Sequence, residues 1–153
     1  MKFNEKYYSL KQHIYCDDNR KTLSLEETKG VKYIGTNKNA IEYTVYRVDK
    51  GLISTNETKQ CDFAIYVPSS DSVRLIELKG GNIDDGVEQL IQTIDVLIKR
   101  PNISVTKLYA ILVAKKFNTP ALLTTKMKKL KTLVKSYKGE VIPKSIKHEE
   151  PIN

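Results

Sequence analysis

Two apolar runs on either side of a short polar turn constrain the fold of this chain more than any other feature of its sequence. The runs occupy residues 60–67 and 72–81, and residues 68–71 lie between them. β-Branched and aromatic residues favour strands, whereas proline followed by small polar residues favours a turn. The pattern therefore predicts two neighbouring antiparallel strands joined by a tight connection.

Charged residues lie in these runs, where a strand interior normally excludes charge, and three of them form a candidate cluster: Asp62, Glu77 and Lys79. Glu77 and Lys79 are two positions apart, so on a strand both side chains leave the same face. Asp62 begins the first run and can approach that pair only at the end of its strand. A half-buried cluster of this kind is costly unless a cation, a substrate or a chemical step requires it. We therefore predict a functional site at this sheet edge. The alternatives are a solvated ion pair and a turn role for the aspartate.

A third strand and a helix are predicted around the two runs. Residues 40–49 alternate their apolar side chains and form the first strand of a three-strand antiparallel meander. Asn82 is a candidate helix N-cap, because Asp84 and Asp85 follow in the first turn, where the helix dipole favours carboxylates. Apolar residues at helical spacing then continue as far as Pro101, which ends the helix.

The second half of the chain predicts a further strand and helix. Residues 105–114 are almost continuously apolar, as in a strand buried on both faces, and a strand that follows a crossover helix is expected to be parallel. A helix is predicted from Thr119 or Pro120, and residues 140–143 add a short edge strand. The predicted core-facing stripe of that helix is Leu123, Met127, Leu130, Val134 and Tyr137.

The predicted fold class is α/β (α+β), with a mixed central sheet and helices packed on it. At 153 residues and 40% hydrophobic content, the chain is expected to form a single domain. The core of that domain spans about 40–147. Residues 1–39 show no clear periodicity, and a short helix or two is expected there.

Charge and cysteine usage indicate the partner and the compartment. The net charge of +8 favours an anionic partner, which by charge alone is either nucleic acid or an anionic membrane. The sequence has no apolar stretch of signal-peptide or membrane-spanning length, so we expect a cytoplasmic protein without a membrane partner. Cys16 and Cys61 are predicted to be free thiols, and His13 and His148 to be surface residues.

The charged residues fit metal-assisted phosphodiester hydrolysis. Carboxylate oxygens are ligands that Mg²⁺ accepts, and a neighbouring ammonium group stabilises negative charge that develops on phosphate. In these residues the chain resembles the PD-(D/E)XK nuclease superfamily, which has the restriction-endonuclease-like fold. The matching residues are Asp62, then Glu77-Leu78-Lys79, then Gln89 on the following helix, within about residues 40–115. Cys61 replaces the proline that commonly precedes the aspartate.

The resemblance implies an endonuclease, a hydrolase that binds nucleic acid, DNA in preference to RNA, and that requires magnesium. It implies that Asp62, Glu77 and the backbone carbonyl of Leu78 bind Mg²⁺, for which Mn²⁺ can substitute. Lys79 would be the catalytic lysine, and Gln89 would support the site or contact the substrate, with an ordinary surface role as its alternative. Two residues stay open as the supporting carboxylate, with structural roles as their alternatives: Asp49 and Glu27.

A lysine-rich segment follows the predicted site. The lysines of the last predicted helix must point away from its apolar stripe, so they can follow a phosphate backbone, although a solvated face is the alternative. They are Lys126, Lys128, Lys129, Lys131 and Lys135. The small size of the chain favours a homodimer or a larger nucleoprotein complex. The alternative function is a non-catalytic nucleic-acid-binding or assembly subunit that retains the nuclease fold, and a third is a module that binds an acidic protein.

Overall fold

Strands and short helices alternate along the chain, for which a computed structural model describes residues 1–27, 30–117 and 119–153. The strands are β1 (Ile14–Asp18), β2 (Thr22–Leu25), β3 (Lys32–Thr36), β4 (Tyr43–Arg47), β5 (Phe63–Val67), β6 (Ser72–Lys79), β7 (Lys107–Ala114), β8 (Val141–Ser145) and β9 (Lys147–Pro151). The helices are α1 (Phe3–Tyr7), α2 (Ile83–Ile94), α3 (Thr119–Leu122) and α4 (Thr125–Lys135). A 3₁₀ turn, Lys11–His13, precedes β1, and a π-helical turn, Asp95–Lys99, extends α2.

The larger sheet is mixed. In the described part of the chain it contains six strands in the order β1-β4-β5-β6-β7-β8. Strands β1, β4, β5 and β6 pair antiparallel, whereas β6, β7 and β8 pair parallel. The predicted meander, the helical crossover and the parallel strand after it are confirmed, and so is the α/β (α+β) class with helices packed on the sheet. The carboxyl ends of β6, β7 and β8 therefore meet at one edge.

The turn between β5 and β6 is fixed by its aspartate. The Asp71 N–H donates to the Pro68 carbonyl at 3.2 Å, and the Asp71 carboxylate accepts from the Tyr66 hydroxyl at 2.7 Å. Asp71 has a φ of 49°, a left-handed conformation that aspartate tolerates better than most residues. This tight connection sets the register in which Phe63 lies opposite Ile76. It therefore determines which residues meet at the far end of the hairpin.

Helix α2 covers one face of the sheet and begins where the sequence predicts. The Asn82 side chain accepts from the Asp85 N–H at 3.1 Å, which satisfies one of the free amides at the helix N-terminus. The apolar face of the helix is buried against β6 and β7. Gly86 allows a close approach, because a Cβ at this position would lie 2.9 Å from Leu112 Cδ1 and 3.7 Å from Glu77 Cγ. The first turns of α2 thus lie directly over Glu77.

The opposite face of the larger sheet is covered by a second sheet that the sequence analysis did not predict. Strand β3 lies between β2 and β9, antiparallel to the first and parallel to the second. The apolar side chains of this second sheet, including Leu25 on β2 and Tyr33 on β3, form one buried cluster with Ile76 and Leu78 of β6. Residues 1–39, expected to form a helix or two, contain α1 and three strands. The pairing of β3 with β9 leaves no local signal, because the two strands are far apart in sequence.

Two further expectations about single residues are wrong. Leu123 is 62% exposed rather than core-facing, because α3 ends at Leu122 and the Thr124 side chain caps a new helix by accepting from the Met127 N–H. His148 is buried on β9 rather than exposed, because the second sheet places it beside Tyr33. The rest of the predicted stripe packs inward: Met127, Leu130 and Val134 are buried, and Tyr137 is half-buried.

Cys16 and Cys61 are both buried free thiols, as predicted. None of the helices in the described residues is long and apolar enough to cross a membrane.

Candidate active site

Asp62 and Glu77 meet across the open end of the β5–β6 hairpin. Phe63 pairs with Ile76, and the Asp62 N–H donates to the Ile76 carbonyl at 3.1 Å, so the pairing continues one residue beyond the strand. The Asp62 carboxylate then turns towards β6 and accepts from the Leu78 N–H at 2.9 Å. Backbone hydrogen bonds therefore fix the aspartate beside Glu77. This is the proximity that the sequence analysis predicted for the two carboxylates.

Glu77 is an unusual core residue. It is 2% exposed, and no described residue makes a hydrogen bond to its Oε1 atom. Burial, reinforced by the negative charge of Asp62, raises its pKa to about 10 despite the positive charge of Lys79. Burial also raises the pKa of Asp62 to about 6, against the opposing hydrogen bond from Leu78. A buried carboxyl oxygen without a partner costs free energy, and a hard cation beside the pair would remove that cost.

Lys79 leaves the same face of β6 as Glu77, as predicted, and contacts α2. Its ammonium group donates to Asp85 Oδ2 at 2.5 Å and to Gln89 Oε1 at 3.0 Å. Hydrogen bonds from Lys59 and Lys79 hold the pKa of Asp85 below its usual range. From the sequence, Asp85 was predicted only as a carboxylate in the first helical turn, where the helix dipole favours it, and its contact with Lys79 was missed. The available signal was that α2 begins directly after β6, which brings its first turn above the end of that strand.

Gln89 joins the site to the segment before Asp62. Its side-chain oxygen accepts from Lys79, and its side-chain nitrogen donates to the Gln60 carbonyl at 3.1 Å. The structure therefore places Asp62, Glu77, Lys79 and Gln89 around one point, where β5 begins and β6 ends. For Leu78, the structure shows the contact of its N–H with Asp62. Metal binding by its carbonyl stays a prediction.

Both candidates for the supporting carboxylate lie near Asp62. They share a cavity of about 170 Å³, which is lined by Glu27, Arg47, Asp49, Lys50 and Asp62. Glu27 is paired with Arg47 at 2.8 Å, and Asp49 accepts from the Gln60 side chain at 2.8 Å. In the described residues, no group of three or more His, Cys, Asp or Glu side chains could by itself hold a metal ion. A cation beside Asp62 and Glu77 would therefore complete its shell with backbone, water or substrate oxygens.

Two open surfaces are lined in part by residues at or in α2. One is a cleft of about 510 Å³ at the carboxyl end of β6, lined in part by Gly81, Asn82 and Lys116. The other is a groove of about 650 Å³ between α2 and α4, where Lys128 and Lys129 line one wall. The five lysines singled out on α4 are all exposed, as expected for residues opposite an apolar stripe: Lys126, Lys128, Lys129, Lys131 and Lys135.

Comparison of the chain with protein-family models, with curated proteins and with solved structures finds no match. The chemistry of the site therefore carries the functional proposal. Its central elements are the buried Glu77, the half-buried Asp62 beside it, and the Lys79 ammonium group, which α2 holds.

Proposed function

We propose that this protein is a metal-dependent nuclease of the PD-(D/E)XK kind, which hydrolyses phosphodiester bonds of nucleic acid, DNA in preference. The observation that carries the proposal is the Oε1 atom of Glu77, which is buried beside the carboxyl group of Asp62 and has no hydrogen-bond partner among the described residues. A buried polar atom without a hydrogen-bond partner lowers the stability of a protein, and groups of this kind are concentrated at functional sites. The exposed lysines of α4 supply positive charge that suits a polyanionic substrate.

The residues present fit a divalent cation, because a carboxyl pair with an unused buried oxygen is a hard donor set. Asp62 and Glu77, with the Leu78 carbonyl, would hold Mg²⁺ or Mn²⁺. Such an ion supplies positive charge to a phosphate oxygen and makes water a better nucleophile near neutral pH. This donor set explains how hydrolysis could proceed without a serine, cysteine or histidine nucleophile.

Lys79 has the electrostatic role in this proposal. It leaves the same face of β6 as Glu77, and an ammonium group on that side stabilises the negative charge that develops on the phosphate in the transition state. Gln89 limits the movement of Lys79 through one hydrogen bond and holds the backbone before Asp62 through another. The proposed setting is the cytoplasm, which two buried free thiols favour because its thiols are kept reduced.

Cleavage of DNA should require both the divalent ion and Lys79. We expect the wild type to cleave plasmid or oligonucleotide DNA with Mg²⁺ or Mn²⁺ and to be inactive in EDTA. Lys79→Ala should lower kcat by about 100-fold, because it removes the group that stabilises developing charge. The measurement is single-turnover cleavage of end-labelled duplex and single-stranded DNA, with RNA of the same sequence in parallel.

The control for this assay is Lys107→Ala, which removes an exposed lysine at the amino end of β7, opposite Ser72 and therefore at the far end of β6 from Lys79. It should retain a kcat close to that of the wild type. If wild type and Lys79→Ala cleave at the same rate, the activity belongs to a contaminant and the proposal fails. If the wild type binds DNA but neither cleaves it nor binds Mn²⁺ in calorimetry, the chain is a non-catalytic nucleic-acid-binding subunit.

The α4 lysines should provide the salt-dependent part of nucleic-acid binding. Replacing Lys128, Lys131 and Lys135 together by alanine removes three exposed positive charges. Each phosphate that a lysine no longer neutralises reduces the slope of log K against log salt by about 0.9, so the slope of the triple variant should be smaller by about 2 to 3. The measurement is fluorescence anisotropy with labelled DNA over a series of salt concentrations, with Ca²⁺ in place of Mg²⁺.

A matched control removes the same number of exposed lysines from the other side of the protein. Lys21, Lys38 and Lys147 lie in or beside the second sheet, and all are exposed. Their triple alanine variant changes the net charge by the same amount, so it should alter the slope by less than about 1. Equal slopes for the two triple variants would show that α4 is an ordinary solvated helix face.

A further inference from the structure

Helix α2 presents a row of polar side chains to the candidate site. Asp85, Gln89, Gln92 and Thr93 occur at the spacing of one helix face and include the contacts with Lys79. We propose that Asp85 is the positioning residue for Lys79, and that this face of α2 aligns Lys79 and Asp62 with each other. The inference rests on the proposed nuclease function and assigns a role that the sequence analysis did not give to Asp85.

Helix α2 occupies two of the three N–H donors of the Lys79 ammonium group. One is taken by Asp85 Oδ2 at 2.5 Å and one by Gln89 Oε1 at 3.0 Å. An ammonium group has three donors, so one remains for a substrate oxygen. Two fixed acceptors on consecutive turns of one helix define where the nitrogen lies. Without them, a four-carbon side chain that is 22% exposed would sample several rotamers.

The same helix face also holds the backbone of the three residues before Asp62. The Lys59 N–H donates to Gln92 Oε1 at 2.7 Å, and the Cys61 N–H donates to Thr93 Oγ1 at 2.8 Å. Between them, the Gln60 carbonyl accepts from the Gln89 side chain at 3.1 Å. Helix α2 therefore holds both the 59–61 segment, which precedes Asp62, and the side chain of Lys79. Their relative position is thus fixed by one rigid element.

Asp85 is the residue on which this arrangement depends most. Its two carboxylate oxygens accept from different lysines, Oδ2 from Lys79 and Oδ1 from Lys59, each at 2.5 Å. An asparagine in the same place has the same shape but only one acceptor oxygen and no charge. Its NH₂ group would face one of the two ammonium groups, donor against donor. Asp85→Asn therefore removes the negative charge that anchors Lys79 and leaves one neutral acceptor for two ammonium groups, while the backbone N–H that Asn82 caps is retained.

A positioning role predicts a particular kinetic result. Asp85 would not touch the substrate, so its loss should leave KM for DNA and the affinity for Mn²⁺ within about twofold of wild type, while a misplaced Lys79 should lower kcat by about 10-fold to 100-fold. Asp85→Glu keeps two acceptors and a negative charge, and it should recover most of the lost kcat. Lys59→Ala removes the other partner of Asp85 and should leave kcat within about threefold of wild type.

The decisive readout does not require cleavage. In ¹⁵N-edited NMR at low temperature, a lysine ammonium group held by two acceptors exchanges slowly enough to give a resolved signal. We expect such a signal for Lys79 in the wild type, identified by its loss in Lys79→Arg. It should be retained in Lys59→Ala and lost in Asp85→Asn. Should Asp85→Asn prove unstable, Asp85→Glu tests the same point, because the Lys79 signal must shift when its acceptor moves.

These outcomes separate the two proposals. If the wild type cleaves DNA and Asp85→Asn has the kcat of the wild type, or if its Lys79 signal is unchanged, Asp85 does not position Lys79. An equal loss of kcat in Asp85→Asn and Lys59→Ala would also overturn the inference, since it would assign the effect to the 59–61 segment. If the wild type cleaves nothing while the Lys79 signal depends on Asp85 as described, the anchor is present and the nuclease proposal alone fails.

Discussion

Replacing Glu77 by glutamine is expected to stabilise the metal-free protein while lowering nucleic-acid cleavage by about 1,000-fold or more. The two effects have the same cause. Glu77 is 2% exposed beside Asp62, and its Oε1 has no hydrogen-bond partner in the described residues. Glutamine has nearly the same shape and no charge, so it is less costly to bury, but it cannot act as an anionic ligand.

The gain in stability should depend on pH. The pKa of Glu77 is raised by burial to about 10 in the folded protein, so the folded state holds a proton that the unfolded state releases at lower pH. This contribution to the free energy of unfolding is complete below the pKa that Glu77 has in the unfolded chain. It is lost as the pH rises towards the pKa that Glu77 has in the folded protein. The wild type should therefore lose stability between about pH 5 and pH 9, by at most about 1.4 kcal/mol per pH unit for this group. Glu77→Gln should lack that loss.

The measurement is the free energy of unfolding in urea at several pH values, in EDTA, for wild type and Glu77→Gln. We expect the variant to be more stable by about 1 to 3 kcal/mol at pH 8 and close to the wild type at pH 5. Asp84→Asn, at an exposed carboxylate in the first turn of α2, is the matched control and should show no such trend. Mn²⁺ should raise the melting temperature of the wild type and leave that of Glu77→Gln unchanged. A variant that is less stable than the wild type at pH 8 would contradict this account.

Breaking the buried ion pair between Arg74 and Glu150 is expected to cost about 3 to 5 kcal/mol of stability. Arg74 lies on the face of β6 opposite to Glu77 and is 3% exposed. Its guanidinium donates to Glu150 at 3.0 Å and to the Asn153 side chain at 3.2 Å, and it lies 4.9 Å from the centre of the Tyr109 ring. Removing Glu150 would leave this charge buried without its carboxylate.

Glu150 is itself held by several donors. Its carboxylate accepts from the Tyr33 hydroxyl at 2.8 Å, and His148 Nε2 lies 2.9 Å from its other oxygen. Burial alone would raise the pKa of Glu150, but the hydrogen bonds from His148 and Tyr33 and the charge of Arg74 lower it below its usual range. Because the pKa of Glu150 is lower in the folded protein than in the unfolded chain, its ionisation stabilises the fold at pH values above the pKa of the unfolded chain. This stability is lost as the pH falls through the pKa of the folded protein. The pair therefore stabilises the protein at neutral pH and weakens in acid.

Urea unfolding at pH 7 of Glu150→Ala, Arg74→Met and the double variant tests this prediction. Each single variant should lose most of the stated stability, whereas the double variant should lose less than the sum, because no unpaired charge then remains buried. Glu149→Ala, at the exposed neighbour on β9, is the control and should change stability by less than about 0.5 kcal/mol. Additive losses in the double variant would show that the two side chains do not stabilise each other.

The part of the fold that holds the site could be predicted from the sequence because its signals are local. A polar turn at residues 68–71, an N-cap at Asn82 and a long apolar run before Ala114 each mark one element, and consecutive elements pair with one another. The proximity of Asp62 to Glu77 follows from that hairpin register. The shared face of Glu77 and Lys79 follows from the two-residue period of a strand.

The rest could not be predicted because it depends on contacts between distant segments. Strand β9 is short and largely polar, and its pairing with β3 becomes visible only when both are placed beside the larger sheet. His148 therefore resembled a surface residue. Asp85 resembled a dipole-compensating carboxylate, since its sequence position does not show that two lysines converge on it. Arg74, in an apolar strand, has a buried partner that lies 76 positions away.

The pairing of β3 with β9 sets an order of events during synthesis. The Tyr33–Glu150 hydrogen bond joins residues 117 positions apart, and closing so long a loop is entropically slow compared with forming local hairpins. Strands β4 to β7 and helix α2 leave the ribosome before β9 and can pack on each other. Until residues 147–153 follow, the apolar face of β5 and β6 lacks part of its cover and Arg74 lacks its carboxylate. The nascent chain is therefore the form most exposed to aggregation and to capture by chaperones.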